Sequence, residues 1–205
     1  MLTSANQLSL EIARTAARLV VEEGATQGQA KRQALDELRV PPRTPLPDNA
    51  LMDEAIREHI ALFCADTQAQ ELLALRHLAL QWMERLAQFR PHLGGAVWAG
   101  TATQHSDIHL QLFCDDSKSA EILLIDQGVN YSPSTVRGLH GKPVDVLTIT
   151  ARPLDPAAAH AERVGVHLFI YDHDDLRGAL RASGDSRAPR GNAAAVRALL
   201  AENAP

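Results

Sequence analysis

The spacing of the apolar residues changes once along the chain, and this change limits the fold more than any other feature of the sequence. Through residues 1–90, apolar side chains recur at helical spacing, as Ile12, Ala16 and Leu19 do near the start. Between residues 92 and 178, segments such as DIHLQLF alternate between apolar and polar residues, which is typical of a strand buried on one face. Helices followed by a mixture of strands and helices predict the α+β class.

The first part of the chain predicts four helices. Thr26 and Gln29 form a capping-box pattern that begins the second of them. The segment VPPRTPLPDN at residues 40–49 contains four prolines and predicts an extended connector before the third helix. The fourth helix is long and strongly apolar, and it ends near Arg90, which precedes a proline.

Beyond this point the sequence predicts strands separated by one helix. DIHLQLF and VGVHLFIYD read as strands, and TVRGLHGKPVDVLTIT reads as a hairpin. SAEILLIDQGV fits either a helix or a strand, and Gly128 as a stop signal favours the helix. The tail ASGDSRAPRGN predicts a loop before a final helix, AAAVRALLAEN.

The two periodicities place a domain boundary near residue 90. We predict a helical bundle over residues 1–90, packed on a domain over residues 91–205 that contains a mixed sheet with flanking helices. The apolar stripe of the fourth helix, which includes Trp82 and Met83, fits either the protein core or the face of a homodimer. The core is the favoured reading.

Composition excludes several classes of protein. The net charge is −5, with 20 basic and 25 acidic residues, which argues against a general nucleic-acid-binding protein. No apolar run approaches the length of about 20 residues that spans a bilayer. Cys64 and Cys114 fit neither a zinc site nor a disulfide framework. The start of the chain does not resemble a signal peptide, so we expect a cytoplasmic protein without a membrane partner.

One run of residues combines a glycine pair with a polar strand. Leu93, Gly94 and Gly95 are followed, after a gap of eleven residues, by Asp107-Ile108-His109-Leu110. This run resembles the core motif of the nucleotidyltransferase superfamily, whose fold is that of DNA polymerase beta and the minimal nucleotidyltransferases. The chain is also similar to a bacterial group that has the same helical region before this motif.

The resemblance implies a site for a nucleoside triphosphate. In this superfamily, backbone amides of the glycine turn near a helix start receive phosphate oxygens, which here suggests Gly94 and Gly95. The resemblance extends to the sequence motif found in small members of the superfamily. The matching residues Gly100, Thr101 and Ser106 are further candidates for binding the nucleotide. The implied reaction transfers a nucleotidyl group to a hydroxyl acceptor on a small molecule, an RNA or a protein.

The same resemblance implies a divalent cation, Mg²⁺ or Mn²⁺. Side chains at positions i and i+2 of a strand point the same way, so Asp107 and His109 would share the cation. A third acid comes from a neighbouring strand in this superfamily. Asp145 in PVDVL is the natural match, and Glu121 is the weaker one because its segment fits a helix as well as a strand.

His109 stands where the superfamily has its second acid. Mg²⁺ prefers oxygen ligands, whereas imidazole suits Mn²⁺, Zn²⁺ or Fe²⁺ better. Three interpretations follow: a reaction with one metal, a different metal with His109 as ligand or general base, or an inactive fold kept as a nucleotide-binding or protein-interaction module. The sequence therefore leaves open whether the protein is an enzyme.

Other polar residues have simpler explanations. The run YDHDD at residues 171–175 follows a strand, and one of its acids fits a helix N-cap better than a metal ligand. His105 and His167 are isolated in the sequence and are expected to be surface or packed histidines. Arg190 lies in the segment predicted as a loop, where a contact to phosphate is a weaker alternative.

Overall fold

A computed structural model describes residues 4–116, 118–138, 141–152, 163–173, 175 and 190–202 of the chain. The helices in this part of the chain are α1 (Ser4–Glu23), α2 (Gln27–Glu37), α3 (Asn49–Phe63), α4 (Gln68–Arg85), α5 (Gly95–Ala99), α6 (Lys118–Asp126) and α7 (Ala193–Glu202). The strands are β1 (His92–Gly94), β2 (Ile108–Cys114), β3 (Ser132–Arg137), β4 (Pro143–Ala151), β5 (Val164–Asp172) and β6 (Arg190–Asn192). None of the described helices has the length and apolar character needed to cross a membrane.

The chain forms two compact units that divide between Ala69 and Gln70. The first, which we call the helical unit, contains α1, α2 and α3 around a core of their apolar side chains. The start of α2 is the one that the sequence predicts. Thr26 caps α2 in a capping box with Gln29, and Asp48 caps α3 by accepting a hydrogen bond from the Leu51 amide.

The second unit, which we call the sheet unit, begins close to the start of α4 rather than after it. The boundary therefore lies some twenty residues before the one that the sequence suggests. The physical reason is that α4 buries Leu78, Trp82 and Met83 in the same core as the sheet. Trp82 and Met83 thus belong to the protein core, which is the favoured one of the two readings given above.

The sheet unit confirms the α+β class. Its six strands lie in the order β3-β4-β5-β2-β1-β6, and the sheet is mixed because β2 and β5 are parallel while the other neighbours are antiparallel. The predicted strands DIHLQLF and VGVHLFIYD become β2 and β5, and the predicted hairpin becomes β3 and β4. The ambiguous segment SAEILLIDQGV forms α6, a helix.

The register assigns the sheet residues to two faces, because paired residues point the same way and neighbours along a strand point in opposite directions. Ile108, Leu110 and Leu112 lie on what we call the helix face, in one core with residues of α4, α6 and α7. His109 and its partner His167 lie on the opposite, open face. Phe113, Val144 and Tyr171 form a small separate cluster on the open face, to which no described helix contributes.

Three short elements are not predicted by the sequence. β1 and α5 occupy the segment around Gly94 and Gly95, and β6 lies at the end of the segment predicted as a loop. Each has three to five residues, so pairing and packing define them rather than a local pattern. In the YDHDD run, Tyr171 and Asp172 end β5, while Asp174 lies outside the described residues.

Candidate functional site

Asp107 lies on the open face, one residue before β2, and β5 fixes its carboxylate. The backbone N–H of Gly165 donates to Oδ1 at 2.9 Å, and Oδ2 lies 3.0 Å from Nε2 of His167. The approach requires a glycine, because a Cβ at position 165 would lie 2.7 Å from Oδ1. The Asp107 side chain is 49% exposed. The carboxylate is therefore held in place and still accessible to a ligand.

His167 connects Asp107 to a hydroxyl group on the next strand. An ionised carboxylate can only accept hydrogen bonds, so Nε2 of His167 is the donor toward Asp107. The other ring nitrogen, Nδ1, lies 2.9 Å from the hydroxyl of Thr148. Carboxylate, imidazole and hydroxyl thus form one hydrogen-bonded chain across β2, β5 and β4.

The glycine turn lies beside His109, as the spacing of the motif suggests. Gly94 is the register partner of His109, and Gly95 follows at the start of α5 with φ +67°. A Cβ at position 95 would lie 3.1 Å from Nδ1 of His109, so the imidazole fills the space in front of this turn. The His109 ring also contacts two aromatic rings of β5. Its centroid lies 5.2 Å from that of His167 and 5.5 Å from that of Phe169.

The structure gives the glycine turn a packing role rather than a phosphate cradle. Helix α5 has only five residues, so few peptide dipoles add up at its start, and the His109 ring stands where a phosphate was expected. Gly100 ends α5 with φ +84°, Thr101 is buried, and Ser106 accepts a hydrogen bond from the Thr103 amide. These residues shape the loop that leads to Asp107.

Two pKa values in the site are shifted. The hydrogen bond from His167 holds the pKa of the Asp107 carboxyl below its usual range, and the Gly165 amide acts in the same direction. Burial lowers the pKa of His109, with a further decrease from His167, while the charge of Asp107 opposes both. At neutral pH the site therefore contains an ionised carboxylate beside a neutral His109.

The lowered pKa of His109 predicts a loss of stability on acidification. The unfolded chain takes up a proton near pH 6.5 and the folded protein does so only at lower pH, so stability falls as the pH decreases through this interval. Asp107 contributes at lower pH, because its pKa is depressed from 3.8. We expect the melting temperature to fall between pH 7.5 and 5, and to fall less in His109→Gln. If the melting temperatures of the wild-type protein and of His109→Gln fall equally with pH, His109 is not the cause of the lost stability.

Asp145 is not close to Asp107, although the resemblance suggests it as the third acid. Asp145 is paired with Ile170 and lies on the helix face, whereas Asp107 lies beside Gly165 on the open face. The two partners on β5 are five residues apart, which separates the carboxylates by roughly 16 Å along the strand. The Asp145 carboxylate instead accepts a hydrogen bond from Thr135 at 3.2 Å.

A resident metal centre does not fit the described residues. No group of three or more His, Cys, Asp or Glu side chains in this part of the chain is placed to hold one metal ion. Both ring nitrogens of His167 have hydrogen-bond partners, and His109 faces the glycine turn. Glu121, the weaker candidate for the third acid, lies on α6 and forms an ion pair with Lys118 at 2.7 Å.

A polar cavity of ≈ 450 Å³ opens beside the hydrogen-bonded chain. Its lining is polar and consists of two arginines, three aliphatic hydroxyl groups, an amide and a phenol. The described lining residues are Asn130, Tyr131, Ser132, Thr148, Thr150, Arg152 and Arg163. Thr148 belongs both to this lining and to the chain that begins at Asp107. Among the residues that the structure describes, the lining carries two positive charges and no carboxylate, so this part of the cavity suits an anionic ligand.

Several residues of this site are not predicted by the sequence. His167 is not an isolated histidine but the partner of Asp107, and Gly165 gives that carboxylate room. A signal was present, since an isolated glycine within a strand pattern indicates a close approach by another group. Arg190 belongs to β6 rather than to a loop, and its guanidinium donates a hydrogen bond to Gln111.

Comparisons with known proteins give only a distant likeness. No protein-family model matches the chain, and no curated protein matches it. Among solved structures, Cid1 in complex with the UTP analog UMPNPP is similar over 56% of this chain and 36% of that chain, with 11% identity and a TM-score of 0.35. The Cid1 poly(U) polymerase with MgGTP bound is similar over 56% and 38%, with 10% identity and a TM-score of 0.35. The chain thus spans little more than a third of the length of these structures.

Proposed function

We propose that this protein binds a nucleoside triphosphate on the open face of its sheet, as the complex of the nucleotide with Mg²⁺ or Mn²⁺. One observation carries the proposal. The accessible Asp107 carboxylate lies on the same face as a positively charged cavity, and His167 and Thr148 connect the two. A cavity of ≈ 450 Å³ is within the usual range of small-molecule sites.

A single carboxylate is enough for a cation that arrives with the ligand. Mg²⁺ in nucleotide sites is commonly bound by one or two carboxylates, by phosphate oxygens and by water rather than by a complete protein cage. Asp107 supplies one ionised carboxylate. Nucleotidyl transfer to a hydroxyl, the reaction implied by the motif, uses at least two carboxylates in the superfamily pattern. Binding is therefore the function that the geometry supports best.

The proposal is tested by melting temperatures measured with ATP, GTP, CTP and UTP, each in EDTA, Mg²⁺ or Mn²⁺. A ligand that binds the folded state raises its stability by about 2.7 kcal/mol at 100 times its Kd. We expect at least one nucleotide to raise the melting temperature, and Mg²⁺ or Mn²⁺ to increase the effect. Asp107→Ala should lose the metal-dependent part, because it removes the carboxylate that reaches the cation.

Asp145→Ala is the matched control. It removes an exposed strand carboxylate from the opposite face of the same sheet and should keep the metal-dependent effect. If no nucleotide changes the melting temperature of the wild-type protein under any condition, the proposal is wrong. The inactive interaction module, the alternative that His109 suggests, then becomes the better reading.

A further inference from the structure

We infer that Arg152 and Arg163 are the phosphate-binding residues of this site, and that the protein recognises a chain of two or more phosphates rather than a monophosphate. The inference rests on the proposed function and deepens it. It also places the phosphates away from the glycine turn, where the sequence motif suggests them. The evidence is the position of the two arginines, their charge and the groups around them.

The two arginines face each other at the open end of the β4–β5 pair. Ala151 is the register partner of Val164, so the next pair outward is Arg152 and Arg163. In an antiparallel ladder, Cα atoms of such opposite residues are about 5 Å apart. Alternation puts Arg152 on the same side of β4 as Thr148, which lines the same cavity.

Two like charges in this arrangement repel each other. Opposite positions on neighbouring strands are where equal charges destabilise a sheet. Within the described residues, neither guanidinium takes part in an ion pair with a carboxylate. A polyanion between Arg152 and Arg163 would remove the repulsion and satisfy both guanidinium forks, which match phosphate oxygens geometrically.

The surrounding groups match a phosphate chain better than a single phosphate. The hydroxyls of Ser132 and Thr150 also line the cavity beside the arginines, and each can donate to a phosphate oxygen. A monophosphate held by both arginines would have fewer oxygens left to accept from these two hydroxyls than a chain of phosphates has. A diphosphate or triphosphate reaches further toward Thr148, and so toward the hydrogen-bonded chain that ends at Asp107.

The test measures Kd by calorimetry, in EDTA and again in Mg²⁺, for three probes: inorganic tripolyphosphate, ATP and AMP. In the wild-type protein we expect tripolyphosphate and ATP to bind at least ten times more tightly than AMP. Arg152→Gln and Arg163→Gln should each raise the Kd for tripolyphosphate about 10-fold, and the double variant about 100-fold, since each removes a charge-assisted bidentate contact. Lysine at both positions keeps the charge without the planar fork, so it should restore binding only in part.

Arg137→Gln is the matched control. It removes one exposed arginine from the end of β3, outside the cavity lining, and should change each Kd less than twofold. A folding defect is excluded by the melting temperature without ligand, which should stay equal or rise in the double variant because a repulsive pair is lost.

Failure of this inference differs from failure of the proposed function. If ATP binds to wild type and to the double variant with equal Kd, the phosphates lie elsewhere and the role of Arg152 and Arg163 is wrong, while nucleotide binding stands. If AMP binds as tightly as ATP, recognition of a phosphate chain is wrong. If the wild-type protein binds none of the three probes with or without Mg²⁺, both the inference and the proposed function are wrong.

Discussion

Replacing Leu110 with alanine is expected to lower the free energy of unfolding of the sheet unit by about 2–5 kcal/mol, as for other fully buried leucines. Leu110 has no exposed surface and lies on β2, between β5 and β1. Its side chain belongs to the core that the strands share with α4, α6 and α7. The substitution loses the transfer free energy of the removed carbons and leaves a cavity, because neighbours on both sides are held in the sheet.

Urea unfolding followed by tryptophan fluorescence measures this effect in the relevant unit. The chain has two tryptophans, Trp82 and Trp98, and both lie in the sheet unit, so the signal reports on that unit alone. Leu110→Met, which preserves volume, should cost less than about 1.5 kcal/mol. Ile125→Ala on an exposed position of α6 should stay within about 0.5 kcal/mol. A loss below 1 kcal/mol for Leu110→Ala would contradict the place of Leu110 in the core.

The second large effect is expected at Gly165, where one added methyl group should displace the carboxylate of Asp107. A Cβ there would lie 2.7 Å from Oδ1 and 2.8 Å from Cγ of Asp107, closer than carbon and oxygen atoms pack. The carboxylate must turn away and give up its hydrogen bonds to the Gly165 amide and to His167. We expect Gly165→Ala to cost about 1–3 kcal/mol of stability and to abolish the metal-dependent part of nucleotide binding, as Asp107→Ala does.

A double-mutant cycle separates this cause from a general effect of alanine in β5. In the Asp107→Ala background the added methyl group meets no carboxylate. Gly165→Ala should then be neutral, or stabilising by about 0.4–1 kcal/mol through the lower entropy of the unfolded chain. Equal costs in the two backgrounds would show that Gly165 is needed for another reason than room for Asp107.

The alternation of apolar and polar residues within each segment predicts the longer strands of the sheet, including β2. The strict alternation of DIHLQLF places Ile108 and Leu110 inward and His109 on the other face, as the structure has them. The capping box at Thr26 needs only residues that are neighbours in sequence. The pairing of Gly94 with His109 also joins residues that are close in the chain, but the sequence does not predict the short strand β1 that makes it.

The partners of Asp107 could not be predicted in this way. His167 is 60 residues away in the chain, and its contact depends on β5 pairing in parallel with β2 across an intervening hairpin. The sequence PVDVL shows that Asp145 points to the opposite side of its strand from Val144 and Val146. It does not show which face of the sheet that side belongs to. Only the register of β4 on β5 decides this. The three residues of β6 contain no pattern of their own.

The parallel pairing of β2 with β5 also has a consequence for the order in which the protein folds. The β1–β2 and β3–β4 pairs are antiparallel and join residues that are close in sequence, so they can form early. Pairing β2 with β5 requires closure of a long loop and is expected to be slow. The contact between Asp107 and Gly165 therefore does not exist in intermediates that contain only the local pairs. Ligand affinity then appears together with the β2–β5 pairing, and a nucleotide added during refolding would slow unfolding without accelerating the first steps of folding.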